Sequence, residues 1–116
     1  MKKEQIVYIQ HILGAITCIE GYVEKKSKAA FLKEKILQDA VIRQIEIIGE
    51  ASKNISPSVK ESHPEIVWRQ IAGMKNKLTH QYFGVDLEVV WKTVESEIPK
   101  LKVQIQKIEA ELQSSK

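Results

Sequence analysis

Cysteine occurs once, at Cys18, so the chain can form no internal disulfide, and no Cys or His stands at zinc-finger spacing from it. A lone thiol of this kind reads as a small buried hydrophobe. Five glycines and three prolines in 116 residues exclude a turn-rich architecture and leave room for a few long elements. Uninterrupted apolar runs are also short. The longest apolar stretch, residues 6–23, carries Gln10, His11 and Glu20. It reads as too polar for a spanning helix or a signal segment, which predicts a cytoplasmic protein with no membrane contact. Arginine is scarce too: of eighteen basic residues only Arg43 and Arg69 are arginine. Where lysine is the default cation, an arginine points to a need for its planar forked donors.

What remains is a chain with 43% hydrophobic and 28% charged residues, neither disordered nor membrane-like in composition and of a size for one domain, residues 1–116. The net charge of +3 permits contact with a polyanion without requiring it.

Apolar residues recur at helical spacing throughout. Ile6, Ile9, Leu13, Ile16, Ile19 and Val23 form one stripe of a first helix over roughly residues 4–25. Ser27 is placed to cap a second helix that runs to about Lys53, with Leu37, Val41, Ile45, Ile48, Ala51 and Ile55 along its apolar face. Ser56 and Pro57 have the chemistry of a cap and a first helical residue, and predict a short extra turn. His63, Pro64 and Glu65 repeat that pattern and predict a third long helix with Val67, Ile71, Met74 and Leu78 inward, ending near Phe83 and Gly84. Asp86 is the predicted cap of the last helix, whose apolar residues Leu87, Trp91, Val94, Ile98, Leu101, Ile105, Ile108 and Leu112 alternate at spacings of four and three. Pro99 interrupts that helix and should kink it or split it near Glu95, whose carbonyl its ring would strike. The sum is an all-α, antiparallel four-helix bundle with a short extra turn and a Pro-kinked C-terminal helix.

Function must come from a site, because bundles serve many functions. Arg69, Gly73, Asn76 and His80 fall on one face of the third helix, beside its apolar stripe. A bundle helix needs one apolar stripe, so this second, polar one is not explained by packing. The glycine would let a ligand or another backbone approach closely. Taken alone, His80 reads equally as a histidine near a helix C-terminus, where its charge suits the dipole. Tyr82 alone reads as an amphipathic aromatic anchoring the helix end.

Residues 68–86, Trp-Arg-Gln-Ile-Ala-Gly-Met-Lys-Asn-Lys-Leu-Thr-His-Gln-Tyr-Phe-Gly-Val-Asp, resemble the signature of the HepT-type HEPN proteins. Residues 41–51, the His63-Pro64-Glu65-Ile66 stretch and residues 87–91 resemble the same family in the same order. The resemblance implies a HEPN-like bundle and a dimeric, metal-independent endoribonuclease with a composite cleft between two subunits. The family motif is R-x-x-x-x-H-x-Y, with a polar residue, often asparagine, directly after the arginine. Asn76, His80 and Tyr82 match it, and Lys75 stands where the family has arginine. The resemblance further implies that a nucleotidyltransferase antitoxin of the MNT type restrains the toxin by attaching AMP at the position of Tyr82, and it implies no cofactor. An AMP there would block an RNA phosphate by bulk and by like charge.

The chemistry is legible without the family. RNA carries its own nucleophile, the 2′-OH, so cleavage needs a base for its proton, an acid for the departing 5′-oxygen, and cations for the crowded phosphorane. Histidine near neutrality serves as either, and two copies across a two-fold axis serve as both. Lys75 supplies charge without arginine's bidentate fork. Either activity survives with Lys75, is rescued by Arg69 on the His80 face, or is lost, which would leave a non-catalytic helical module that binds a nucleotidyltransferase or RNA. His11 and His63 read as structural. Glu46 and Glu50 form an i, i+4 pair, but no Glu-x-x-His accompanies them, so a di-iron bundle is not supported. Trp68 and Trp91 read as packing or dimer anchors.

Overall fold

In a computed structural model the fold is described for residues 2–73 and 86–114, with side chains from Glu4 onward. Every regular element among them is helical. Helix α1 is Lys2–Val23, α2 Lys28–Lys33, α3 Lys35–Lys53, α4 Pro57–Ser62 and α5 Trp68–Ala72. After the motif segment come α6 (Leu87–Lys92), a π-helical turn (Thr93–Glu97) and α7 (Ile98–Ser114). The all-α, HEPN-like bundle expected from the sequence is what forms.

Helix α1 packs mainly on α3 and α7. Their directions follow from cross-links at the ends. Gln5, at the start of α1, accepts a 2.7 Å hydrogen bond from the backbone N–H of Ser56, just past the end of α3. Glu20, near the end of α1, pairs at 3.0 Å with Lys102, near the start of α7. Both neighbours therefore run antiparallel to α1.

The core is almost wholly aliphatic. Ile9, Ile12, Ile16 and Ile19 of α1, Val41, Ile45 and Ile48 of α3, and Ile105 and Ile108 of α7 are excluded from solvent. On α1 the buried face keeps Ile9, Ile16 and Ile19 of the expected stripe and widens to take in Ile12 and Ala15, with Leu13 half-buried against the core. Cys18 falls on the outer face and is exposed, contrary to its expected burial. The expectation that α1 is too polar to span a membrane also needs correction: by length and composition alone, residues 4–23 are apolar enough to cross one. In the fold, the inward stripe of this helix packs on α3 and α7.

The caps behave as their chemistry dictates. Ser27 Oγ accepts from the Ala30 N–H at 3.1 Å, and Ser56 Oγ from the Val59 N–H at 3.3 Å with Pro57 at the first turn. Asp86 Oδ1 accepts from Glu88 N–H at 3.0 Å and Val89 N–H at 3.3 Å. Satisfying these otherwise unpaired donors fixes where each helix starts.

The expected second helix is broken at Glu34, whose backbone is extended (ψ 97°). The break lets Phe31 turn fully inside, 5.2 Å between ring centroids from the buried Trp91, while Gln38 Nε2 donates to the Phe31 carbonyl at 2.9 Å. At Pro99 the last helix is interrupted near Glu95, as expected, and split into α6 and α7 by a π turn: the Ile98 N–H bonds to Thr93 O, five residues back, and this turn contains Glu95 and ends two residues before Pro99. Admitting one extra residue to the turn spaces the chain around a ring that cannot donate. Ile98, Leu101, Ile105 and Ile108 stay buried beyond it.

The third helix starts later than expected, at Trp68 rather than Pro64. Residues 63–67 form a turn in which His63 and Ile66 are buried and Val67 is 54% exposed. The backbone N–H of Trp68 bonds to Ile66 O at 3.0 Å and its indole Nε1–H to His63 O at 3.3 Å. These bonds hold the turn against helix extension toward Pro64. Ile71 is buried as expected, whereas Met74, Leu78 and the expected end at Phe83 and Gly84 lie outside the described residues.

Candidate active site

Helix α5 leads directly, in sequence, into the motif. Of the residues singled out above, Lys75, Asn76, His80 and Tyr82 lie outside the described residues, and Arg69 lies within them. What the structure shows is the platform on which the motif begins.

That platform rests on α3. A Cβ built at Gly49 would stand 3.5 Å from the backbone oxygens of both Ile71 and Ala72, so the α5 backbone sits one methyl's width from α3. Ile71 enters the core beside it. Gly49 thus lies where α3 meets α5 at ordinary van der Waals distance. Gly73 ends α5: its N–H bonds to Arg69 O at 3.0 Å, and the nearest atom to a Cβ built there is that same oxygen, at 3.2 Å.

Arg69 is exposed on α5, and no carboxylate among the described residues pairs with it. The other arginine, Arg43, faces Glu46 at 3.7 Å. Glu50 pairs with Lys53 at 3.7 Å. The Glu46 and Glu50 pair is therefore accounted for by helix-surface ion pairs, and the described residues hold no cluster of His, Cys, Asp or Glu suited to a metal.

Beside α5 a groove of about 390 Å³ runs between it and the π turn and α7. Val67, Ile71 and Leu101 line it with apolar groups, and Gln70, Glu97, Lys100 and Gln104 with polar ones, and Gly73 also borders it. His11 is exposed and meets Tyr8 edge-on, with centroids 6.3 Å apart. His63 is buried, in line with a structural role.

Residues 12–108 match the family described as "Ribonuclease HepT-like". The chain belongs to the HepT-like ribonuclease family. Among its curated relatives, the "Probable ribonuclease HepT" of Thermococcus cleftensis is 49% identical over 93% of this chain and 98% of its own length. A Methanocaldococcus jannaschii protein named "Gamma-glutamylcyclotransferase and putative RNase" is 47% identical over the whole chain, which spans 52% of that longer protein. A "Putative RNase" of Caldanaerobacter subterraneus is 41% identical over 87% of the chain and 90% of its own length. No solved structure matches.

For a HepT-like chain, one grouping had no signal in its sequence. His63 Nδ1 lies 3.2 Å from Glu65 Oε2 and its Nε2 lies 3.1 Å from Glu111 Oε1. Glu111 is 48 residues away on the exposed side of α7, so no local spacing could have paired it with His63. The Glu65 carboxyl is held below its ordinary value, first by its own backbone N–H and then by the hydrogen bond and charge of His63, with Lys107 adding to them against partial desolvation.

Proposed function

We propose that this chain is a metal-independent endoribonuclease that acts as a two-fold dimer, with His80 as the general acid–base, Lys75 and Arg69 as the cations on the phosphate, and Asn76 beside them. The observation that carries the reading is the run of residues 68–86 with its His80 and Tyr82, in a chain of the HepT-like ribonuclease family. In this reading one imidazole takes the 2′-OH proton as the oxygen attacks the adjacent phosphorus. A second, protonated, gives its proton to the 5′-oxygen as the P–O bond breaks. The products are a 2′,3′-cyclic phosphate and a 5′-OH. Two histidines from two subunits fill the two roles, which is why the dimer belongs to the proposal.

The test is incubation of the purified protein with RNA in the presence of a chelator. Cyclic-phosphate ends are expected, and their absence counts against the reading. The same assay ranks the cations. A lysine gives up one of two parallel charge-assisted hydrogen bonds, worth on the order of 1.5–3 kcal/mol. Lys75→Arg is therefore expected to speed cleavage by about one to two decades and Lys75→Ala to slow it. If Lys75→Ala is silent and Arg69→Ala is inactive, Arg69 carries the phosphate contact instead. Lys75 also favours a second reading, a non-catalytic module that binds a nucleotidyltransferase or RNA. That reading holds if neither the native protein nor Lys75→Arg cuts RNA.

The proposal extends to control. In a cytoplasmic toxin–antitoxin pair, an MNT-type nucleotidyltransferase attaches AMP to the Tyr82 hydroxyl, displacing pyrophosphate from ATP, and the added anion excludes the substrate phosphate. Incubation with such an enzyme and ATP is expected to add the mass of AMP to the native protein and not to Tyr82→Phe. An unmodified native protein would remove this part of the proposal.

A further inference from the structure

The turn between α4 and α5 is fastened by one side chain. His63 is 5% exposed, yet both of its ring nitrogens reach carboxylates, Glu65 of the same turn at 3.2 Å and Glu111 of α7 at 3.1 Å. An ionised carboxylate only accepts hydrogen bonds. A neutral imidazole donates from one nitrogen, so it satisfies one of these partners and turns a lone pair toward the other. Only the doubly protonated ring is a favourable partner for both, hydrogen-bonded to Glu65 and ion-paired with Glu111. The His63 carbonyl receives the indole N–H of Trp68, the first residue of α5, at 3.3 Å, and the Trp68 ring lies under the ammonium group of Lys60 at 5.9 Å. One buried residue therefore joins α7 and the turn through its ring, and the start of α5 through its carbonyl.

We infer that His63 is a positioning residue whose protonated ring clamps the turn before α5 to α7, so that the attachment of this turn to α7 responds to pH. The charged groups around it act in known directions. Glu65 and Glu111 favour the clamp from the turn and from α7, Lys107 of α7 acts on Glu65, and Lys60 of α4 sits beyond Trp68. Because the Glu65 carboxyl is held below its ordinary value, its contribution is present above the ordinary carboxylate range and is lost on acidification through its folded value. The clamp as a whole thus acts where both carboxylates are ionised and the ring is protonated, and it is released toward alkaline pH. Nothing in it depends on whether RNA is cleaved.

The test is thermal unfolding of the native protein, Glu65→Gln and Glu111→Gln at pH 5.5 and at pH 9, where an imidazole is neutral. Both glutamates are about half exposed in their side chains, so the variants are expected to fold. At pH 5.5 each variant should melt about 2–4 °C below the native protein, and at pH 9 the summed loss of the two should shrink to less than about half. In a His63→Gln background, Glu111→Gln should cause no shift at either pH. Losses equal at pH 5.5 and pH 9, or no loss at either, would overturn the clamp, and the Glu variants decide the matter even if His63→Gln fails to fold. Because the readout is unfolding, this outcome is separate from that of the RNA assay.

Discussion

His80→Ala is expected to reduce RNA cleavage by at least about a hundredfold, and by up to about ten-thousandfold if both copies act in one dimer cleft, while leaving the melting temperature close to that of the native protein. The range is what a positioned acid–base group contributes to a proton-transfer step. In a symmetric dimer the substitution removes the base and the acid together, so the loss should sit at the upper end. The two effects on a unit of this kind are not additive. The pH dependence adds a second check. A reaction that uses one neutral and one protonated imidazole should give a bell-shaped rate profile, and the alanine variant should lose it. Full activity in His80→Ala, or cleavage that disappears on adding a chelator, would show that the chemistry lies elsewhere.

The largest expected loss of stability is at Phe31. Its ring is completely buried at the break between α2 and α3, against Trp91 of α6, and its carbonyl receives the Gln38 side chain. Phe31→Ala removes the ring from its contact with Trp91 and leaves a cavity on the wall between α2 and α6. Such truncations cost about 3–5 kcal/mol, a large share of the roughly 5–15 kcal/mol that holds a domain of this size folded. Urea unfolding followed by tryptophan fluorescence should show a lower midpoint with an unchanged slope. A change under about 1 kcal/mol would mean that the α2 break can collapse onto the vacated space.

The C-terminal half of the fold was readable because its signals are local. The four-three repeat from Trp91 to Ile108 needs only helical periodicity to predict which side is buried, and those residues are buried. Asp86, Ser27 and Ser56 were readable for the same reason: a cap bonds an amide two or three residues away. Pro99 announced a disturbance near Glu95, but not its form. A lost hydrogen bond and a ring clash can be relieved by a kink or by a wider turn, and here the chain inserts a π turn that keeps Val94 and Ile98 both inside.

Errors came where distant packing outweighed local pattern. Val67 suited an inward helical position, but burial of His63 and Ile66 stops α5 from starting at Pro64 and leaves Val67 outside. Glu34 offers no breaker chemistry; its extended backbone is imposed by the burial of Phe31 against Trp91, a contact between residues 60 apart in sequence. The face on which Cys18 lies depends on how α1 is rotated against α3 and α7, and a single cysteine carries no information about that.

The sequence by itself determined the helical class, the caps, the apolar seam of the last helix and the motif residues, including Lys75 in place of arginine. Family membership follows from the same linear order of residues. Only the tertiary structure decided that α5 rests on α3 at Gly49, and that His63 lies between Glu65 and Glu111. The physical reason is range. Periodicity, capping and motif spacing act over a few residues of one helix, whereas the seat of α5 and the partners of His63 are fixed by which helices the buried aliphatic faces bring together.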